Sequence, residues 1–452
     1  MKRILLVNPW VCDFKFHDFW VRPYGLMRIS TMLKKAGLEV SMIDCLNRHD
    51  PAMEKYGVKD RGFGRGDYHS EELEKPAAYR KVPRKYKRYG FPEEVLREKL
   101  ESTKTPDLIL LGSGITYTYE GLMKCHSILR EYFPLTRLIT GGIYATLCHE
   151  HAKKNLMPSA VWKGSINNEF VRAVNSMLGT NIGYMEAQEF SETVPDASFY
   201  PLSDFAAVRF TEGCPFSCSY CAAGSFYSSF YQRKKENVIK ELGTYAAAGI
   251  SNIAFYDDAL LYKNHYFKSV MAEVKKAGFK LKFHASNGLH AAYIDEETAA
   301  LLKDNNFIEP KISLETSDSS AQKATGGKVT NEIFEKAVKN LLGAGYKSHE
   351  ISVFILNGLP GQTEESVMKD VSYVKKLGLR IRHSVYSPIP GTADFMKLRP
   401  DIRAELMAEP LKQNEYYFLA INPEYGWQAN LRVKAEIDRH NCGLPPVFES
   451  GV

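Results

Sequence analysis

The chain has 452 residues and a mass of 51.2 kDa, with 44% hydrophobic and 25% charged residues. That composition excludes a disordered, collagen-like or coiled-coil chain, and the length calls for roughly three units, or two with one of barrel size. The net charge of +6, from 59 basic and 53 acidic residues, is mild and does not demand a nucleic-acid partner.

The longest apolar runs, such as Leu108–Leu111, fall far short of the roughly 20 residues needed to span a bilayer, so no membrane span is expected. Residues 1–7 imitate the start of a signal peptide, but Asn8-Pro9 end the run early, and residues 4–7 read as a first buried strand. With no export signal the chain is expected in the cytoplasm. In that reducing compartment its eight cysteines are ligands or core residues more often than disulfides.

In chain order, residues 24–36 carry apolar side chains at helical spacing, and Gly37 stops them. Residues 38–43 read as the next strand. The pattern then breaks at about 45–105, where a glycine-rich stretch (RGFGRGD, 61–67) and a basic run (RKVPRKYKR, 80–88) suggest a surface-lying, loop-rich insertion. Regularity returns with strands at 108–111, 137–140 and 160–163 and helices at 120–132 and 168–177. Strands alternating with helices predict a Rossmann-like, doubly wound parallel sheet over residues 1–180, with ligands beyond the carboxyl ends of its strands.

Residues 181–204, with Pro195 and Pro201, read as a linker. A second βα series follows over 205–395, with strands at 207–210, 252–256, 280–285, 309–314, 350–356 and 381–386. Six such units fit a partial (β/α)6 barrel better than a closed eightfold one. Residues 396–452 form a C-terminal extension rich in aromatics.

Three of the cysteines fall within residues 211–224 (TEGCPFSCSYCAAG), directly after the first barrel strand, as C-x-x-x-C-x-x-C. Thiolates of Cys214, Cys218 and Cys221 can ligate three irons of a 4Fe–4S cube and leave the fourth open to a small molecule. A zinc site wants a fourth ligand, and no paired C-x-x-C follows. A redox C-x-x-C would leave Cys214 idle, and buried inert thiols remain the plain alternative.

The segment resembles the signature of the radical S-adenosylmethionine (SAM) superfamily, with Tyr220 as the aromatic before the third cysteine. Further blocks resemble that family in order: Phe255-Tyr256-Asp257-Asp258 on the second strand, Asn287-Gly288 on the third, Glu315 on the fourth, residues 354–363 with Ile355 on the fifth, and residues 387–392 (SPIPGT) on the sixth. The resemblance implies that Tyr220, Asp257, Asp258, Asn287, Glu315 and Ile355 lie around SAM. From the residues alone, Asp257 and Asp258 read equally as a solvated strand-end pair, Glu315 as a surface ion pair, Asn287-Gly288 as a turn and Ile355 as core.

Residues 23–44, 107–118 and 139–146 are similar to the cobalamin-binding domain of cobalamin-dependent radical SAM enzymes. By that resemblance Ser113, Thr116, Gly141, Gly142 and Gly164 are candidates for corrinoid contact. The D-x-H-x-x-G motif that supplies an axial histidine elsewhere is absent: Asp13 and His17, and Asp44 and His49, have other spacings. A Rossmann-like domain that has lost its cofactor is the competing reading.

The resemblance implies a 4Fe–4S cluster, SAM and cobalamin as cofactors. It implies reductive cleavage of SAM to a 5′-deoxyadenosyl radical, used for methyl transfer to an unactivated carbon of a small-molecule or peptide substrate. An electron donor such as flavodoxin or ferredoxin is expected. Alternatives are a radical oxidation, cyclisation or rearrangement without methyl transfer, a methylthiotransferase-like enzyme needing three well-placed N-terminal cysteines, and a corrinoid or iron–sulfur binding protein without turnover. No catalytic side chain is singled out by the sequence.

Overall fold

The computed structural model describes residues 1–157, 159–227 and 229–447. The chain divides into two units, each assembled from separated segments. Unit 1 is Met1–Asp204, Ser225–Tyr227 and Arg399–Gln413; unit 2 is Phe205–Gly224, Ser228–Leu398 and Asn414–Val452. Among the described residues no helix is long and apolar enough to cross a membrane.

Unit 1 is built on five parallel strands: β1 (Arg3–Asn8), β2 (Glu39–Asp44), β3 (Leu108–Leu111), β4 (Arg137–Thr140) and β5 (Ala160–Val161), in the order β2-β1-β3-β4-β5. The period-2 geometry of a strand sorts β1 onto two cores. Leu5 and Val7 join Ile109, Leu111, Leu122 and Leu129 on one face. Ile4 and Leu6 join Leu108, Leu110, Ile29 and Leu33 on the other. Burying each such leucine contributes about 2 kcal/mol. Helices α1 (Tyr24–Lys35), α2 (Tyr119–Tyr132) and α3 (Asn168–Leu178) cover the faces. The order reverses direction between β1 and β3, and their carboxyl ends open the crevice where sheets of this kind take ligands.

The stretch at 45–105 is mostly turns and loops, as expected, but it carries ordered elements. Tyr86–Tyr89 pairs antiparallel with both Ser70–Leu73 and Val11–Asp13, and Glu93–Glu101 is helical. Phe14, Tyr79 and Tyr86 pack their rings at 4.7–5.5 Å in a small aromatic core. The basic run is partly interior: Val82 and Tyr86 are buried, and Arg88 lies over the Trp10 ring while pairing with Glu71 at 2.8 Å. Such pairing lets a charged strand be buried, which a count of charges does not show.

Residues 181–204 are stitched to α1 rather than free. Arg28 donates to Ser191 O (2.9 Å), Thr31 Oγ1 to Val194 O (2.7 Å) and Ser30 Oγ to Asp196 (2.7 Å). Residues 399–413 also fold within unit 1, where Tyr119 donates to Glu409 (3.0 Å) and the Gln413 amide reaches the Cys148 sulfur (3.5 Å).

Unit 2 carries six parallel strands: β6 (Phe205–Val208), β7 (Asn252–Phe255), β8 (Lys282–Ala285), β9 (Lys311–Glu315), β10 (Ser352–Asn357) and β11 (Arg380–Val385). They form two triplets, β8-β7-β6 and β9-β10-β11, which the single parallel bridges Phe283–Phe307 and Leu289–Ile312 connect. Helices cross between successive strands, as in Asn331–Gly343, capped by the Thr330 side chain. The C-terminal helix Trp427–Gly443 packs on β11. Asn441 exchanges two hydrogen bonds with Ile381 (2.8 and 3.0 Å), so a side-chain amide takes the place of a neighbouring strand at that sheet edge.

Candidate functional site

The three cysteines sit on a loop that leaves and re-enters the barrel through a narrow neck, where Thr211–Glu212 pairs antiparallel with Tyr231–Gln232. Asp257, at the end of β7, fastens that neck. Its carboxylate accepts from Phe210 N (3.0 Å), Thr211 N (2.6 Å) and Thr211 Oγ1 (2.8 Å). Burial pushes its pKa up to about 7. Gly213 turns the chain with φ +78°.

The loop is pinned at its middle as well. Ser219 Oγ donates to Asp394 (2.7 Å), Asp394 N donates to Ser219 O (2.8 Å), and Ser219 N donates to Thr325 O (3.2 Å). Gly326, at φ +113°, lies so close that a Cβ there would stand 3.2 Å from Ser217 O and 3.4 Å from Cys218 Cα. Only a residue without a side chain tolerates that approach together with that φ.

The cysteines are free thiols. Cys214 and Cys218 are half-buried and Cys221 is exposed. Burial pushes the Cys214 and Cys221 thiols up; Cys218 and Cys221 raise Cys214 further, and Cys218 raises Cys221. Among the described residues, no three His, Cys, Asp or Glu side chains converge as they would on a single metal ion. A 4Fe–4S cube does not ask for that convergence, because each thiolate ligates a different iron. Three free thiols on one loop held at neck and middle fit such a cluster.

Around the loop stands a group of polar residues. Glu315 ends β9 at φ +67°, where the register with β10 shifts between Ser313 and Glu315. A non-glycine residue held in that region stores strain, which concentrates at functional sites. Burial raises its carboxyl, while Lys328 Nζ at 3.7 Å and the Tyr220 hydroxyl act against that rise. Tyr220 is itself pushed up by burial and by the charge of Glu315. Asp258 is exposed, and desolvation together with the charge of Glu212 raises its carboxyl. Asn287 donates to Asp257 O (3.2 Å), and Gly288 at φ +82° makes room for Ser313 Oγ and Phe354.

Of the residues singled out from sequence, Tyr220, Asp258, Asn287 and Glu315 thus gather near the cysteine loop. Asp257 spends its oxygens on the chain's own backbone, and Ile355 is wholly buried in the sheet. Lys328, Gly326 and Asp394 were missed. Gly326-Gly327-Lys328 lacks phosphate-loop spacing; what marks it is a glycine pair directly after the short helix Ser319–Ala324.

In unit 1 the candidate residues form a knitted rim beyond β3, β4 and β5. Gly142 (φ +111°) is demanded by Ser113, since a Cβ would stand 2.4 Å from its carbonyl oxygen. Ser113 Oγ accepts from Ala145 N (3.2 Å). Thr146 Oγ1 donates to Gly142 O (2.8 Å) and accepts from Gly164 N (3.1 Å). Thr116 is buried with its hydroxyl lacking a partner among the described residues. A Cβ at Gly141 would meet only Trp162, at 3.7 Å, and one at Gly164 would meet nothing within 4 Å. Exposed backbone here suits a bulky ligand. His17 pairs with Asp67 (2.9 Å), and Asp44 accepts from Tyr200 (2.7 Å).

Residues 208–374 match the Radical SAM superfamily. The chain is 26% identical over 191 residues to an uncharacterized methyltransferase of Pyrococcus horikoshii, covering 42% of this chain and 40% of that protein. It is 31% identical over 196 residues to the ribosomal protein uS12 methylthiotransferase RimO of Clostridium botulinum, covering 42% and 44%. The chain thus spans less than half the length of these curated relatives. Among solved structures it resembles TsrM of Kitasatospora setae, a radical SAM methyltransferase with cobalamin and a 4Fe–4S cluster bound (TM-score 0.64, 16% identity, 87% of this chain and 77% of that one). It also resembles OxsB, a cobalamin-dependent SAM radical enzyme (TM-score 0.58, 14% identity, 90% and 61%). Residues 208–374 thus resemble a radical SAM domain. The chain's fold resembles those of TsrM and OxsB.

Proposed function

We propose that the chain is a cobalamin-dependent radical SAM enzyme that transfers a methyl group to an unactivated carbon of a small molecule or peptide. The observation that carries the reading is the cysteine loop, fastened by Asp257, Asp394 and Gly326 beside the strained Glu315. Cys214, Cys218 and Cys221 would hold the cluster, and the rim of Ser113, Gly141, Gly142 and Gly164 would meet the corrinoid. When bound, these groups supply one-electron cleavage of SAM and methyl delivery.

The protein's own share is position and charge. Asp257 and Asp394 fix the ligand loop, so its thiolates need no reorganisation when the cluster enters. Asp258 and Glu315 present carboxylates, and desolvation strengthens their hold on a cation. Lys328 keeps Glu315 from taking up a proton too readily. Electrons are expected from a flavodoxin- or ferredoxin-like donor.

The test is anaerobic reconstitution of the wild type and Cys218→Ala. The wild type should bind about four irons and make 5′-deoxyadenosine from SAM; the variant should lose both. Retained cluster absorbance and SAM cleavage in the variant would refute the ligand assignment. Reconstitution with hydroxocobalamin should give a bound corrinoid spectrum, and its absence would move the chemistry toward a radical reaction without methyl transfer. A methylthiotransferase finds no support in unit 1, where Cys12, Cys45 and Cys125 are buried and burial pushes the Cys12 and Cys45 thiols up.

A further inference from the structure

One buried donor beside the cysteine loop has no use in the reading above. His290 is 8% exposed and caps the short turn Ala291–Tyr293, where its Nδ1 accepts the Ala292 N–H at 3.3 Å. A ring that accepts at Nδ1 carries its proton on Nε2. Burial, with the charge of Lys328, pulls the imidazole down to about 3, so it stays neutral. Nε2 is shielded from solvent and has no hydrogen-bond partner among the described residues. A buried donor of this kind is unfavourable unless a hydrogen-bond partner answers it.

The neighbours do not supply it. The His290 ring rests on Phe216, 4.4 Å between centroids at 39°, and Tyr293 stands edge-on at 5.1 Å. Phe216 lies on the cysteine loop between Cys214 and Cys218, with Tyr262 against its edge at 5.6 Å. The Lys328 ammonium, itself only a donor, is felt by His290 and by Cys221 and stands 3.7 Å from Glu315. The ring that bears the unmet N–H thus packs on the residue midway between Cys214 and Cys218, and a cluster held by those thiols would offer sulfur acceptors.

We propose that His290 donates a hydrogen bond from Nε2–H to a sulfur of the cluster or of its cysteine ligands, and thereby raises the cluster's reduction potential. The inference rests on the reading of Cys214, Cys218 and Cys221 as cluster ligands. Hydrogen bonds to cluster sulfurs stabilise the extra negative charge of the reduced state.

The experiment compares anaerobically reconstituted wild type, His290→Gln and His290→Phe by EPR-monitored redox titration. The His290→Phe potential should be more negative than that of the wild type, and His290→Gln, whose amide keeps an N–H, should lie closer to the wild type. Equal potentials in wild type and His290→Phe would overturn the proposal, as would the same shift in both variants, which would mark a packing effect. Should the substituted chains take up no cluster, the wild type decides. With 15N-labelled histidine, pulsed EPR of its reduced cluster should show a weak histidine coupling, and a spectrum without one overturns the assignment. A wild type that itself takes up no cluster removes the ligand reading, and this inference with it.

Discussion

Strand β9 has a glutamate at each end, Glu309 just before it and Glu315 at its close, and both sit at positive φ (50° and 67°). Glu309 is buried and fully answered: Ser352 donates to it at 2.7 Å, and Arg382 and Lys311 pair with it. Burial works to raise its pKa, but the two cations prevail and hold it near 2. Glu315 also meets a cost of burial, with Lys328 at 3.7 Å and the Tyr220 and Ser313 hydroxyls against it, and its carboxyl stays raised. The difference teaches that a carboxylate holding the fold together is compensated by its neighbours, whereas Glu315, beside the cysteine loop, is left short of compensation, which supports the proposed hold on a cationic ligand.

That contrast can be broken by substitution. Glu315→Gln should cut 5′-deoxyadenosine formation by about two orders of magnitude with no loss of thermal stability, since it removes an under-compensated charge. A large drop in melting temperature would make Glu315 structural like its counterpart. Glu309→Gln should do the reverse: a stability loss of about 1–3 kcal/mol by denaturant titration, with SAM cleavage per folded molecule unchanged. The pH dependence sharpens the point. A carboxyl with a depressed pKa adds stability above its unfolded value that is lost as pH falls through the folded one, so Glu309→Gln should flatten the acid limb between about pH 4.5 and 2.

Glu315 and Asp257 have raised carboxyls, so the native state binds their protons more tightly and their contribution declines as pH rises. For Asp257 the window runs from the ordinary aspartate value of 3.8 to about 7. Gly326→Ala should cost about 1–2 kcal/mol and slow cluster uptake, because its Cβ meets the cysteine-loop backbone. Unchanged uptake would mean that the loop has room to yield. Smallest of all, Lys328→Met should move the acid limb of SAM cleavage to higher pH as Glu315 loses its cation. An unmoved limb would detach Lys328 from the site.

Much of the fold was legible. The parallel sheets follow from apolar runs such as Leu108–Leu111 set between helical patterns, and the cysteine spacing was visible because three thiols on one loop are rare by chance. The ordered elements within 45–105 were not legible. The strands Ser70–Leu73 and Tyr86–Tyr89 are charged, and they are stabilised by partners distant in sequence, such as Trp10 and Phe14. The role of Asp257 was hidden for a similar reason, since its sequence context does not reveal that backbone N–H groups fill its oxygens. Gly326 shows its purpose only once the cysteine loop lies against it.

The excursion of residues 399–413 has a practical corollary. A polypeptide cut near residue 204 would strip Tyr119 and Cys148 of Glu409 and Gln413. Its complement would carry those fifteen residues with no surface to receive them. Neither half is a natural cloning fragment, so the proposed corrinoid and radical roles are best dissected by point substitution in the intact chain.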